Sequence, residues 1–200
     1  MTLFWYNISI LNTTLWWGVI IISNINKILF LLLLCVNVTY ASYADLAKLA
    51  GISVYKMNKI VSKIIKVETS TGRYDVCNTR SGAYGKYQIM PRTAVWYAKK
   101  LSIPLNEWKK PKNQDRMFRA ILKDNIRNLR KNRYPITAFT IYGAHQQGFN
   151  GFVNITKKRH MSKYTERNMR HNLPSKYKNV NKRILRLVWI LYWKRKIGRV

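Results

Sequence analysis

Residues 82–91, GAYGKYQIMP, set two glycines three apart, then an amide, two apolar residues and a proline. Glycine takes positive φ or lets another chain come close, and proline suits the first position of a helix. The stretch therefore reads as a tight turn that delivers the chain into a helix running through Thr93, Ala94, Val95 and Trp96. Gln88 stands between turn and helix with both donors and an acceptor to offer. Taken alone, an ordinary surface loop also accounts for these ten residues, so the sequence on either side has to decide.

Upstream, residues 42–52 space Leu46, Leu49 and Ala50 for one face of a short helix. From Val54 the pattern strengthens: Met57, Ile60, Val61, Ile64 and Ile65 recur every three or four residues, with lysines at 56, 59, 63 and 66 on the other side. That is the period of an amphipathic helix. One more turn of the apolar face lands on Glu68, just before Thr69-Ser70-Thr71-Gly72 stops the helix. A carboxyl on a buried edge, near the negative end of a helix dipole, has its ionised form disfavoured and its pKa raised. A salt bridge to Lys63, Lys66 or Arg73 would lower it instead, and the sequence leaves both readings open.

Downstream, a helix from Gln114 to about Asn132 turns Phe118, Ile121, Leu122, Ile126 and Leu129 inward. After Pro135, residues Ile136–Gln147 put Ala138, Ile141, Tyr142 and His145 on one face, and Gly148 and Gly151 are expected to end that helix. No strand pattern is convincing beyond a short hairpin between Tyr74 and Tyr87. The fold class is mainly α, with several helices and at most that small hairpin.

The charge is the outlier of the composition: 37 Lys and Arg against 7 Asp and Glu give +30 over 200 residues. Such a chain associates with anionic matter. The N-terminus bears on where. Lys27 precedes the apolar run 28–36, and Thr39-Tyr40-Ala41 follows with the spacing of a signal-peptidase site, so residues 1–41 read as a signal peptide cleaved after Ala41 or as an N-terminal membrane segment. The product is then exported to the periplasm or cell envelope. Cys77 is the one cysteine beyond residue 41, which excludes an internal disulfide in the mature part. His160 and His171 have no cysteines beside them and read as solvated, so no metal and no cofactor is expected.

Residues 153–182 are polar and basic without strong periodicity, and 153–200 reads as a basic extension to a domain over 42–152. Its last part, Ile184 to Trp193 followed by Lys194-Arg195-Lys196, is a basic, Trp-bearing helix. It suits an anionic membrane or wall polymer, or packing on its own domain. Deleting 183–200 is expected on the first reading to weaken surface retention and leave the fold and chemistry intact. No nucleic-acid motif accompanies the charge.

Three separated pieces remain: Glu68-Thr69, Gly82 to Pro91, and Ala144-His145-Gln146-Gln147-Gly148. Together they resemble the lytic transglycosylases (SLT-like) of the lysozyme-like superfamily. In that family a catalytic Glu and a hydroxyl residue precede Gly-x-x-Gly-x-x-Gln-Ile-Met-Pro, and a later helix carries Ala-Tyr-Asn-Ala-Gly. Here Thr69 stands for the usual Ser, Tyr87 for Met, and His145-Gln146 for Tyr-Asn, a version associated with phage and secretion-associated members. The resemblance covers roughly residues 55–152 and implies a lysozyme-like (α+β) fold. It implies Glu68 as the catalytic residue, with Thr69, Gly85, Tyr87, Gln88, Ile89, Tyr142, His145, Gln146 and Gln147 around the substrate, which is peptidoglycan glycan strands. It also implies that the MurNAc–GlcNAc β-1,4 bond is broken with formation of 1,6-anhydroMurNAc. His145 would hydrogen-bond Glu68 as the Tyr does, or carry charge beside it.

Two rival readings stand. A hydrolysing lysozyme on the same fold would use water and Asp75 as a second carboxylate, although Asp75 reads better as a turn cap. A non-enzymatic cationic protein would bind membrane or nucleic acid through residues 153–200.

Overall fold

A computed structural model describes residues 43–157 and 161–198; the segment read as a signal or membrane anchor, and His160, lie outside the described residues. α1 (Ala44–Ala50) ends where Gly51 takes a left-handed conformation at φ 67°. α2 (Val54–Glu68) starts at Ser53, whose hydroxyl accepts from the Lys56 N–H at 3.2 Å, and buries Met57, Ile60, Val61 and Ile64. α3 (Pro91–Lys100) has its proline in the first turn, where the missing N–H costs no helical bond. A 3₁₀ turn at Leu105–Glu107 leads to α4 (Pro111–Lys131), and α5 (Ala138–Thr156) begins in a reciprocal cap between Thr137 and Thr140. α6 (Lys163–His171), a single turn α7 (Ser175–Lys178) and α8 (Lys182–Ile197) complete the described chain.

The fold is mainly α. α4 is the central support, with α1, α3 and α5 packed on it, while α8 packs on α5, α6 and α2. Phe118, Leu122, Ile126 and Leu129 of α4 are fully buried, as the spacing predicts. Among the described residues the expected hairpin is reduced to two isolated antiparallel bridges, Cys77 with Tyr84 and Tyr84 with Ile89.

Three points refine the reading from sequence. Gly148 does break its helix, as expected (φ 67°, ψ 153°), but Gly151 does not stop the chain: a second helical stretch follows at once and runs to Thr156, burying Phe152, Val153 and Ile155. Residues 153–182 contain α6, held by Thr165, Met169 and Leu173, one inward residue per turn in an otherwise polar segment. A stripe that thin gives little periodicity to read. In α8 the tryptophans face the protein: Trp189 is fully buried, Trp193 is 4% exposed, and Leu185 and Ile197 join them.

Candidate active site

The three sequence pieces meet at the C-terminal end of α2. Thr69 ends that helix in extended conformation, its hydroxyl donating to the carbonyls of Ile65 (3.4 Å) and Lys86 (3.3 Å) and accepting from the Gly72 N–H (3.1 Å). Thr69 is 4% exposed, so its hydroxyl ties the glycine turn to the helix end and does not reach outward.

The turn is bolted from the other side by Gln114. Its Oε1 accepts from the Lys86 N–H at 3.1 Å, and its amide donates to the carbonyls of Tyr74 (2.9 Å) and Lys109 (2.6 Å). Gly85 has φ 79°, and a Cβ there would stand 1.7 Å from Gln114 Oε1. Glycine is required on both counts. Gly85→Ala is expected to cost about 2–4 kcal/mol, from the strained φ and the displaced buried amide, in denaturant unfolding. Gly51→Ala, equally left-handed but with nothing within 4 Å, should lose only about 1 kcal/mol.

Gln88 itself sits at φ 47°, and its amide nitrogen donates to the carbonyls of Gly85 (2.9 Å) and Val76 (3.3 Å). Both amide protons are committed to the turn, which leaves the acceptor oxygen for a ligand. Tyr87 and Ile89 are 1% and 2% exposed. They were expected around the substrate and instead hold the turn to the core. Tyr87 stacks on Phe118 with centroids 3.9 Å apart and donates to Asp115 Oδ1 at 2.6 Å. His145 packs edge-on against the same Phe118 at 5.4 Å, so that ring joins the second and third sequence pieces.

Glu68 faces α5, its side chain 18% exposed. Burial drives its pKa from 4.5 up to about 7, against the opposing pull of the Tyr142 hydroxyl and of the Lys196 charge. His145 Nε2 lies 3.8 Å from Glu68 Oε1, beyond hydrogen-bond reach, and burial lowers its pKa to about 4, leaving a neutral imidazole. Tyr142, one helical turn earlier, is the α5 group whose hydroxyl acts on the Glu68 pKa. Gln147 Nε2 donates to Gln146 Oε1 (3.2 Å), and Gln146 Nε2 donates to the Tyr142 hydroxyl (2.9 Å). Trp193 of α8 packs against Tyr142 with centroids 4.9 Å apart, and Lys196 lies over the Trp193 ring at 5.1 Å.

The remaining six carboxyls are engaged elsewhere. Asp45, Glu107, Asp124 and Glu166 pair with Arg119, Lys110, Lys100 and Arg170, and Asp115 accepts from the Tyr74 and Tyr87 hydroxyls. Asp75 is exposed and bound to Arg73, which donates through Nε at 2.9 Å and holds its pKa below the usual value. A cleft of about 1030 Å³ runs beside the site, lined by His145, Gln146 and Gln147 on one side and by Met90, Arg92 and Trp96 on the other. Trp96 is 55% exposed there, an aromatic surface of the kind that packs on sugar rings. Among the described residues no group of His, Cys, Asp and Glu could hold a metal ion.

Residues 51–168 match the family of the transglycosylase SLT domain. The chain belongs to that family. The match takes in all three pieces and reaches into α6. Neither a curated protein nor a solved structure matches the chain significantly. Membership makes this an SLT domain of the mainly helical, lysozyme-like kind, with the general activity of a lytic transglycosylase and peptidoglycan as its substrate class.

Gln114, the residue that locks the SLT turn, was not anticipated. Its signal is weak, since a polar residue at a helix start reads as solvated; its place within one helical turn of the inward Phe118 was the available hint.

Proposed function

We propose that this SLT domain cleaves the β-1,4 bond between N-acetylmuramic acid and N-acetylglucosamine with one carboxyl, Glu68, in both proton-transfer roles. The protonated carboxyl gives its proton to the glycosidic oxygen as the C1–O bond breaks, and the N-acetyl group supports the developing positive charge. The resulting carboxylate, steadied by the Tyr142 phenol, then takes the proton of the muramic C6 hydroxyl as O6 closes on C1. No water enters, and the product is a 1,6-anhydro sugar. Gln88 through its acceptor oxygen, with His145, Gln146 and Gln147 along the cleft, would meet the glycan, while Thr69, Gly85, Tyr87, Ile89 and Tyr142 act by holding the site. The enzyme would work in the periplasm or cell envelope.

The observation that carries this reading is that Glu68 stands apart from the other six carboxyls, buried and with its pKa raised by that burial. Hydrolysing glycosidases use two carboxyl groups flanking the bond. Asp75, the residue such an enzyme would need here, is held on the surface by Arg73. Mass spectrometry of digested peptidoglycan should therefore give muropeptides one water lighter than hydrolysis products, and Asp75→Asn should cleave at the parent's rate. Hydrated reducing ends together with an inactive Asp75→Asn would establish the two-carboxylate mechanism instead.

A further inference from the structure

α8 is apolar on two opposite sides. Leu185, Trp189, Trp193 and Ile197 are buried in the protein, and on the outside Ile184, Leu187 and Leu191 are 48%, 57% and 56% exposed. Their spacing, with the half-buried Val188 between them, makes one continuous stripe along the helix. A helix that is apolar all round is normally covered all round.

Charge says what the cover is. Arg183, Lys194 and Arg195 stand exposed along the stripe, and Lys176 borders a shallow depression of about 510 Å³ shared with Leu191 and Tyr192. No carboxylate follows Glu166 in the chain. A second copy would set this basic rim against itself, and a wall polymer would meet the charge but leave the leucines in water. Headgroup phosphates above an acyl layer satisfy both halves of the pattern. No helix among the described residues is long and apolar enough to cross a membrane, so the contact is with the surface.

We propose that the outer face of α8 docks on an anionic lipid bilayer, with Ile184, Leu187 and Leu191 entering the interface and the flanking lysines and arginines meeting lipid phosphates. Because the inner face of the same helix packs on Tyr142, docking sets the catalytic wall at a fixed height above the lipid.

The test uses residues 43–200, a compact unit of the chain, which omits the apolar run at 28–36 that would bind lipid by itself. In flotation assays this protein should rise with phosphatidylglycerol-containing vesicles and stay behind with pure phosphatidylcholine. The triple variant Ile184→Ser/Leu187→Ser/Leu191→Ser should lose about tenfold or more of that binding, with circular dichroism and cleavage of soluble glycan fragments unchanged. Leu187→Ser and Leu191→Ser alone should each show part of the loss, so the result does not hang on the triple variant's folding. Equal flotation of parent and variants would overturn the proposal in favour of charge alone. So would a parent dimer that the triple variant converts to monomer, or retention on an anionic polymer with no flotation.

Discussion

Glu68→Gln should abolish cleavage of peptidoglycan, lowering the rate by a factor of about 100 to 10,000 in a turbidity assay, while leaving the circular dichroism of the protein unchanged. The amide keeps the shape of the carboxyl but has no proton of suitable acidity to give. The parent's rate should also fall as pH rises through about 7, where burial has placed the Glu68 pKa, since the acid role needs the proton in place. Stability carries the same signature. The folded pKa lies above the ordinary glutamate value of 4.5, so the folded state binds the proton more tightly than the unfolded one. The stabilisation from that proton is full below pH 4.5, is lost as pH rises to about 7, and amounts to about 3 kcal/mol. Glu68→Gln does not titrate. Its advantage in unfolding free energy over the parent should therefore grow by about this amount between mildly acidic and alkaline buffer. A parent whose stability relative to the variant is flat with pH would show that Glu68 is solvated and in no position to act as a neutral acid.

Deleting residues 182–200 should abolish folding of the domain. This is the outcome opposite to the one expected on the surface-binding reading of the segment, and it follows from the other reading, packing on its own domain. Leu185, Trp189, Trp193 and Ile197 would all be lost from the core. At about 2–3 kcal/mol each they contribute on the order of 10 kcal/mol, which is the whole stability of a typical domain. The expected readouts are loss of a cooperative thermal transition and of cleavage together. Trp193→Ala is the milder version, costing about 3–5 kcal/mol and loosening Tyr142 against Glu68. A truncated protein that melts cooperatively near the parent's temperature would mean that α8 is an accessory to a core complete without it.

The helices of the site were legible because each carries a wide apolar face at helical period: Met57 to Ile64 placed α2, and with it Glu68 on its buried edge. The glycine turn was legible as a turn because left-handed backbone leaves glycine in the sequence. What holds it was not. Gln114 and Asp115 are polar residues near a helix start, and only the three-dimensional path shows that they face a loop some 30 residues away in sequence. That His145 stops short of Glu68 was hidden for a related reason: 3.8 Å against hydrogen-bond reach is decided by packing, here on Phe118, and not by position along the helix. In α8 an apolar helix with basic ends is the same string whether its tryptophans face lipid or protein. The sequence therefore named the segment's character and not its inward face.

The bolting of the Gly82–Pro91 turn by Gln114 and Thr69 also decides when its disorder is lost. Ordering a free loop of ten residues at the moment of substrate association would cost on the order of 10 kcal/mol in backbone entropy. Here the amides of Tyr84, Gly85, Lys86, Gln88 and Ile89 already have partners. That loss is therefore met once, during folding, and an arriving glycan strand keeps its contact energy for distorting and breaking its own bond.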